Sequence, residues 1–184
     1  MSAAFGDLRV ASMRARSLAR AMLVLGIAFQ ASVGWCDERT PRLEGWVTDL
    51  ANVLSADQRQ RLATKLAEYE KQTSHQIVVL TVPTLAGERI ESFSLRVANA
   101  AGIGQRGVDN GVLVALAMKE RAVRIELGYG FERHVSNDRA RQIIATMTPA
   151  FRNADYFGGL ERGLDALMAD GRRFVVPRDG RKAR

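Results

Sequence analysis

Leu62, Leu66 and Tyr69 recur at four- and three-residue intervals, the spacing of one helical face. Ser55-Ala56-Asp57-Gln58, just ahead of them, has the form of a capping box, so the pattern predicts a first helix from Ser55 to about Gln72. Gln76 to Val82 is a nearly continuous β-branched run stopped by Pro83, which predicts a strand covered on both faces. A second helix is expected over Arg89 to Ala101, with Ile90, Phe93, Val97 and Ala101 inward and Gly102 as the stop. Val112 to Met118 is again apolar on both faces. Val123 to Leu127 alternates, with Arg124 and Glu126 outward, as in a half-exposed strand at or near an edge. The short polar turn Lys119-Glu120-Arg121 between these runs makes them a β-hairpin. Two helices follow. One runs from about Asn137 to Met147 and ends before Pro149, with Ala140, Ile143, Ile144 and Met147 on one face. The other starts near Asp155 and carries Leu160, Leu164, Leu167 and Met168, with Gly158-Gly159 implying close backbone packing.

The expected order is helix, strand, helix, strand, strand, helix, helix. That is an α/β chain with a small mixed sheet and helices on both faces, a right-handed parallel βαβ crossover followed by an antiparallel hairpin. A hairpin brings the start of its first strand and the end of its second to one end of the sheet. Asp109-Asn110-Gly111 is therefore expected beside Gly128-Tyr129-Gly130-Phe131-Glu132, and a helix starting at Asn137 or Asp138 adds further oxygen atoms there.

Composition changes this picture mainly at the ends. The chain has 184 residues, 47% hydrophobic and 26% charged, which are globular values for one domain with flanks. The net charge of +7 is concentrated in two places. Residues 1–34 carry Arg9, Arg14, Arg16 and Arg20 against Asp7. The stretch from Arg172 carries six basic residues against Asp179. The middle is close to neutral, so no basic face of the kind a nucleic-acid reader needs is present. The basic end, 172–184, reads as a solvated tail, with contact to anionic lipid or a partner as the sharper alternative.

Arg14, Arg16 and Arg20, the apolar run Ala21 to Phe29, and the small-x-small site Ser32-Val33-Gly34 form an export signal over residues 1–34. An uncleaved anchor is the competing reading, although Gln30 and Ser32 interrupt a run already short for a span. Residues 35–45 are a polar lead-in and 46–171 the domain. The single cysteine, Cys36, permits no internal disulfide. Its spacing to Arg42 matches that of cysteine phosphatases. With Asp37 and Glu38 adjacent and no strand ahead of it, the match reads as chance.

Other lookalikes fall on context. Gly102-Ile103-Gly104-Gln105-Arg106-Gly107 has the dinucleotide fingerprint, but a helix precedes it and a strand follows, the reverse of what pyrophosphate binding needs, so no nucleotide cofactor is expected. His75 and His134 do not pair at zinc-site spacing. His134 is a candidate acid or base at the hairpin end, or an ordinary exposed residue. What remains is oxygen chemistry: Asp109, Asn110, Glu132 and Asp138, with Asp49 as a further candidate, near glycines that let carbonyls approach. Ca²⁺ and Mg²⁺ favour such sets. The plainer alternative is a turn at Asp109-Asn110-Gly111, a solvated Glu132, and an Asp138 that suits its helix N-terminus.

In this order the pieces Val47-Thr48-Asp49, Gln76-Ile77-Val78-Val79, Gly102-Ile103-Gly104, Asp109-Asn110-Gly111-Val112-Leu113 and Gly128-Tyr129-Gly130-Phe131-Glu132 resemble the TPM-domain family. So do Asp138 with Ile143-Ile144, Pro149-Ala150-Phe151, and Asp155-Tyr156 with Gly159-Leu160. The resemblance spans about residues 46 to 170 and implies a three-layer α/β/α sandwich. It also implies a divalent cation near the loops flanking the hairpin, and the acid-phosphatase activity proposed for some plant members. Glu132 and Asp138 stand one residue further apart than in many members, with Asn137 in the usual acidic place. The C-terminal membrane segment and Gly-rich tail of many bacterial members are not found in this sequence. The function expected is an exported, periplasmic domain that binds Ca²⁺ or Mg²⁺ through Asp109, Asn110, Glu132, Asp138 and Asp49. It would serve as an accessory or quality-control factor for envelope or membrane-associated proteins. A metal-assisted phosphatase using Glu132 or His134, and a structural adaptor without metal, are the rivals.

Overall fold

A capping box closes the first helix, α1 (Ala56–Thr73): Gln58 N–H donates to Ser55 Oγ at 3.2 Å, and Ser55 N–H donates to Gln58 Oε1 at 2.8 Å. The computed structural model describes residues 40–173. The leader, Cys36 and all but the first two residues of the basic tail lie outside the described residues. α1 buries Leu62, Leu66 and Tyr69, and the chain leaves it through Ser74 at a left-handed φ of 65°. Ahead of α1 lies a strand the hydrophobic pattern does not show, β1 (Val47–Asp49). Three residues are too few to display a period.

The remaining elements are β2 (Gln76–Val82), α2 (Ile90–Ala101), β3 (Gly111–Ala117), β4 (Ala122–Leu127), the four-residue α3 (Tyr129–Glu132), α4 (Asn137–Arg152) and α5 (Tyr156–Gly171). The strands form one sheet in the order β1-β2-β3-β4. β1–β2 and β2–β3 are parallel, and β3–β4 is the antiparallel hairpin, with Val112 opposite Leu127 and Ala117 opposite Ala122. Ile77, Val79, Val112, Val114 and Ile125 pack against α1, α4 and α5. On the other face Leu80, Val82, Leu113, Ala115 and Ala117 pack against Phe93 and Val97 of α2. The α/β/α layering and the mixed sheet are therefore as the sequence predicts. The two parallel crossovers step the same way across the sheet yet place α1 and α2 on opposite faces. They are therefore of opposite hand, and one departs from the right-handed rule.

Three local expectations change. Arg124 and Glu126 do not face water freely, because α2 packs over β4 as well as β3. Glu126 Oε2 accepts from Ser94 Oγ at 2.9 Å and from Arg124 Nε at 3.0 Å. Ser94 takes the inward place expected of Ala101, which is exposed. And α4 runs through Pro149 to Arg152. The lost N–H costs the helix about 3 kcal/mol, but Ala150 is buried beyond the proline and Phe151 lies over Gly159 of α5. Gly159 and Gly163 carry this close approach: a Cβ on either would meet Phe151 or Met147.

Candidate functional site

The starts of β2 and β3 and the end of β4 lie together, with Gln76 beside Gly111 and Val112 beside Leu127. Two side chains clasp the loop between α2 and β3 to this end. Gln76 Oε1 accepts the Gly104 N–H at 2.6 Å. Asn110 Oδ1 accepts the Gln105 N–H at 2.8 Å, while Asn110 Nδ2 donates to the Ser74 carbonyl at 2.5 Å. Asn110 is buried. Its amide is occupied on both atoms, so it holds the loop rather than facing a ligand.

The clasp sets Asp109. Its backbone adopts φ 53°, a left-handed conformation that aspartate tolerates better than most residues. Asp109 N–H donates to Gln105 O at 2.9 Å, and Asp109 O accepts from Gly130 N–H at 3.0 Å. The second bond demands glycine: a Cβ at Gly128 or Gly130 would run into the carbonyls of Asp109 or Val108. The side chain of Asp109 is exposed and, among the described residues, has no hydrogen-bond or ion-pair partner. Two residues past that contact, Glu132 is half-buried and accepts from Asn137 Nδ2 at 2.5 Å. So Asn137 orients Glu132.

The other candidates are placed apart from this pair or tied elsewhere. Asp138 is exposed in the first turn of α4 and pairs with Arg141. Asp49 stands opposite Thr81, five residues along β2 from the Gln76–Gly111 level, about 17 Å away at ~3.3 Å per residue. Parallel pairing of β1, invisible in the sequence, puts it at the far end of the sheet. There it accepts from Val53 N–H at 3.2 Å, from Leu54 N–H at 2.9 Å and from the Thr81 hydroxyl, and it faces Arg59 at 3.6 Å. Among the described residues no three His, Cys, Asp or Glu side chains converge as a metal-binding group. The hairpin end thus offers two carboxylates, Asp109 and Glu132, with carbonyls close by. His134 is exposed just beyond them. Partial burial and then the charge of Arg133 hold its pKa below the ordinary value, so it is neutral at pH 7.

Behind this end lies a buried pair that the sequence reading passes over. Tyr69 Oη and His75 Nδ1 are 3.2 Å apart, and both rings are buried. His75 meets Phe131 of α3 edge-on, ring centroids 5.0 Å apart. Gly171 of α5 closes the space, since a Cβ there would meet Tyr69 Oη and the Phe131 ring. Burial, with a smaller contribution from the charge of His134, lowers the His75 pKa to about 4. Burial also raises that of Tyr69 to about 12. The pattern that marks it is a histidine directly before a largely apolar strand, six residues after Tyr69, the last apolar residue on the inward face of α1.

Comparison with known proteins gives the same frame. The model of the TPM domain matches residues 47–170. Among solved structures, the N-terminal domain of a protein from P. gingivalis is 31% identical, with 68% of this chain and 80% of that one covered and a TM-score of 0.63. The BA42 protein of the psychrophilic bacterium Bizionia argentinensis is 20% identical over 68% of this chain and 87% of its own, TM-score 0.60. An N-terminal domain from Corynebacterium glutamicum is 18% identical over 72% and 84%, TM-score 0.56. The last two bear on the fold alone. No curated protein matches the chain.

Proposed function

This chain belongs to the TPM-domain family, and from that premise we propose that it is an exported accessory domain whose hairpin end takes up Ca²⁺ or Mg²⁺ and engages envelope or membrane-associated proteins. The observation that carries the reading is the state of Asp109. Its backbone is held in a left-handed conformation with both polar groups bonded, while its carboxylate is exposed and, among the described residues, without a protein partner. Non-glycine residues kept in such conformations cost roughly 1–3 kcal/mol and cluster at functional sites.

The donors suit a hard cation in kind. Asp109 and Glu132 supply carboxylates, and the other positions around an ion that takes roughly six to eight oxygens fall to carbonyls and water. Two carboxylates imply a weak site, with Kd on the order of 10⁻⁴–10⁻³ M, as in extracellular modules. Thermal melting with and without 10 mM CaCl₂ or MgCl₂ tests this. A cation at about 20 times its Kd stabilises the fold by about 2 kcal/mol, a rise of several degrees. Asp109→Asn and Glu132→Gln should lose that rise. No rise in the wild type, or an equal rise in both variants, removes the reading.

One observation favours a second reading, hydrolysis of phosphate monoesters: His134 is exposed beside Glu132 and neutral at pH 7. A bound cation would supply polarisation of a phosphoryl oxygen. Water would bond to phosphorus as His134 takes its proton and the ester P–O bond breaks, and His134 would pass that proton to the departing alcohol oxygen. Steady-state hydrolysis of a phosphate monoester that is absent in the wild type, or unchanged in His134→Gln, ends this reading.

A further inference from the structure

We propose that His75 is a positioning residue of the hairpin end: its neutral ring, pinned by Tyr69, is the wall on which Phe131 seats the turn carrying Glu132, so that protonating His75 unseats the turn and weakens the site. Only the last clause rests on the cation-binding reading.

Tyr69 from α1 bonds His75 Nδ1 at 3.2 Å, and Phe131 from α3 covers the imidazole edge-on. The His75 N–H is held by Thr73 Oγ1 at 3.2 Å, which fixes the backbone from which the ring projects. Among the described residues, no carboxylate bonds the imidazole. The charges that bear on the pair are both positive when present. His134, just beyond α3, opposes a charge on His75, and Arg172, at the end of α5, acts on the Tyr69 phenol. Asp170 of α5 is taken by Arg139, Glu132 by Asn137, and Glu70 of α1 by Trp46. An imidazolium formed here would have two N–H donors and, in Tyr69 Oη, one bonded acceptor. Buried charge without compensation is expelled toward water.

Which wall yields follows from how each is held. α1 has 18 residues, and β2 is paired along its whole length with β3 and from Val79 to Thr81 with β1. α3 has four residues, attached to the strand ends only by Gly130 N–H to Asp109 O at 3.0 Å and by Phe131 N–H and Glu132 N–H to Gly128 O at 2.9 Å each, its other backbone bonds being the local ones from His134 and Val135 N–H to Phe131 O at 2.9 and 3.0 Å. Short elements with few bonds open at the lowest free energy. The ring therefore leaves by displacing Phe131, and Glu132, the next residue, moves with it.

Amide exchange and chemical shifts of the labelled full chain, without added cation, test the first step. Between pH 7.5 and 4.5 the protection factors of Gly130 to Glu132 should fall at least tenfold, while those of Val78 to Leu80 hold. His75→Phe, a ring that cannot titrate, should remove that fall, and His75→Gln provides the same test if the larger ring disturbs folding. Turn protection that is flat with pH, that falls together with β2, or that falls equally in the variants overturns the proposal. A Ca²⁺ titration of the same spectra at the two pH values separates the two ideas. If the turn responds to pH but no cation binds, the cation-binding reading fails and the positioning role stands. If the cation binds equally at both pH values while the turn opens, the coupling fails.

Discussion

Two aspartates end up at opposite ends of one sheet, and the fold treats them in opposite ways. At Asp49 the carboxylate is buried and saturated: two backbone N–H groups, the Thr81 hydroxyl and Arg59 all point at it. At Asp109 the backbone is saturated and the carboxylate is exposed, with no partner among the described residues. The first acts as a built-in cap for the 49–54 turn. The second spends conformational strain to hold a charge in the open, with glycines at 128 and 130 cleared of side chains to let the backbone close in. Residue type alone does not tell how the fold uses an acid. What separates the two is which half of the residue the fold has satisfied.

The largest expected effect breaks the saturated end. Asp49→Ala leaves Val53 N–H, Leu54 N–H and the Thr81 hydroxyl without their acceptor. Charge-assisted bonds of this kind contribute roughly 1.5–3 kcal/mol each and are not additive, so urea unfolding should show a loss of about 4 kcal/mol. Any cation-induced rise in melting temperature should survive, because the hairpin end is untouched. A loss below 1 kcal/mol would mean that the 49–54 turn holds itself.

A smaller effect, set by pH, comes from the buried histidine beneath the open end. The folded pKa of His75, about 4, lies below the ordinary 6.5, so the unfolded chain takes the proton first as pH falls. Its contribution to stability is complete above pH 6.5, is lost between 6.5 and 4, and is level below. Over that window the loss is about 3 kcal/mol, at 1.36 kcal/mol per pKa unit. Carboxylates also titrate there, so the quantity to measure is the difference between the wild type and His75→Phe in urea unfolding at pH 7 and pH 4.5. Equal pH dependence in the two proteins would show that the proton goes elsewhere.

The meeting of Asp109 with Gly128-Glu132 was legible because hairpin geometry follows from two apolar runs and a short turn. The layering was legible for the same reason: long elements show their period. Asp49 was misplaced beside Asp109 because β1 is three residues long, and only its pairing with β2 assigns Asp49 an end of the sheet. Asn110 suits a ligand by residue type. That its amide is consumed by Gln105 and Ser74 depends on a loop path that no local pattern encodes. His75 was passed over because a lone histidine at a strand entrance looks ordinary until α3 and α5 close over it.

The smallest expected effect is the sharpest test of what the open end is for. Asp109 holds φ 53°, where glycine sits freely and an L-residue is strained by roughly 1–2 kcal/mol, less for aspartate. Its N–H and C=O bonds involve only the backbone and are kept by any residue. Asp109→Gly therefore relieves strain but adds freedom to the unfolded chain. The net change in urea unfolding should stay within about 0.5 kcal/mol. If the carboxylate had a structural partner, as Asp49 does, the same substitution would cost several times more. If it serves a cation, stability without metal stays flat while the rise with 10 mM CaCl₂ or MgCl₂ disappears. That dissociation, stability kept and cation response lost, is the pattern a ligand residue must give and a structural residue cannot.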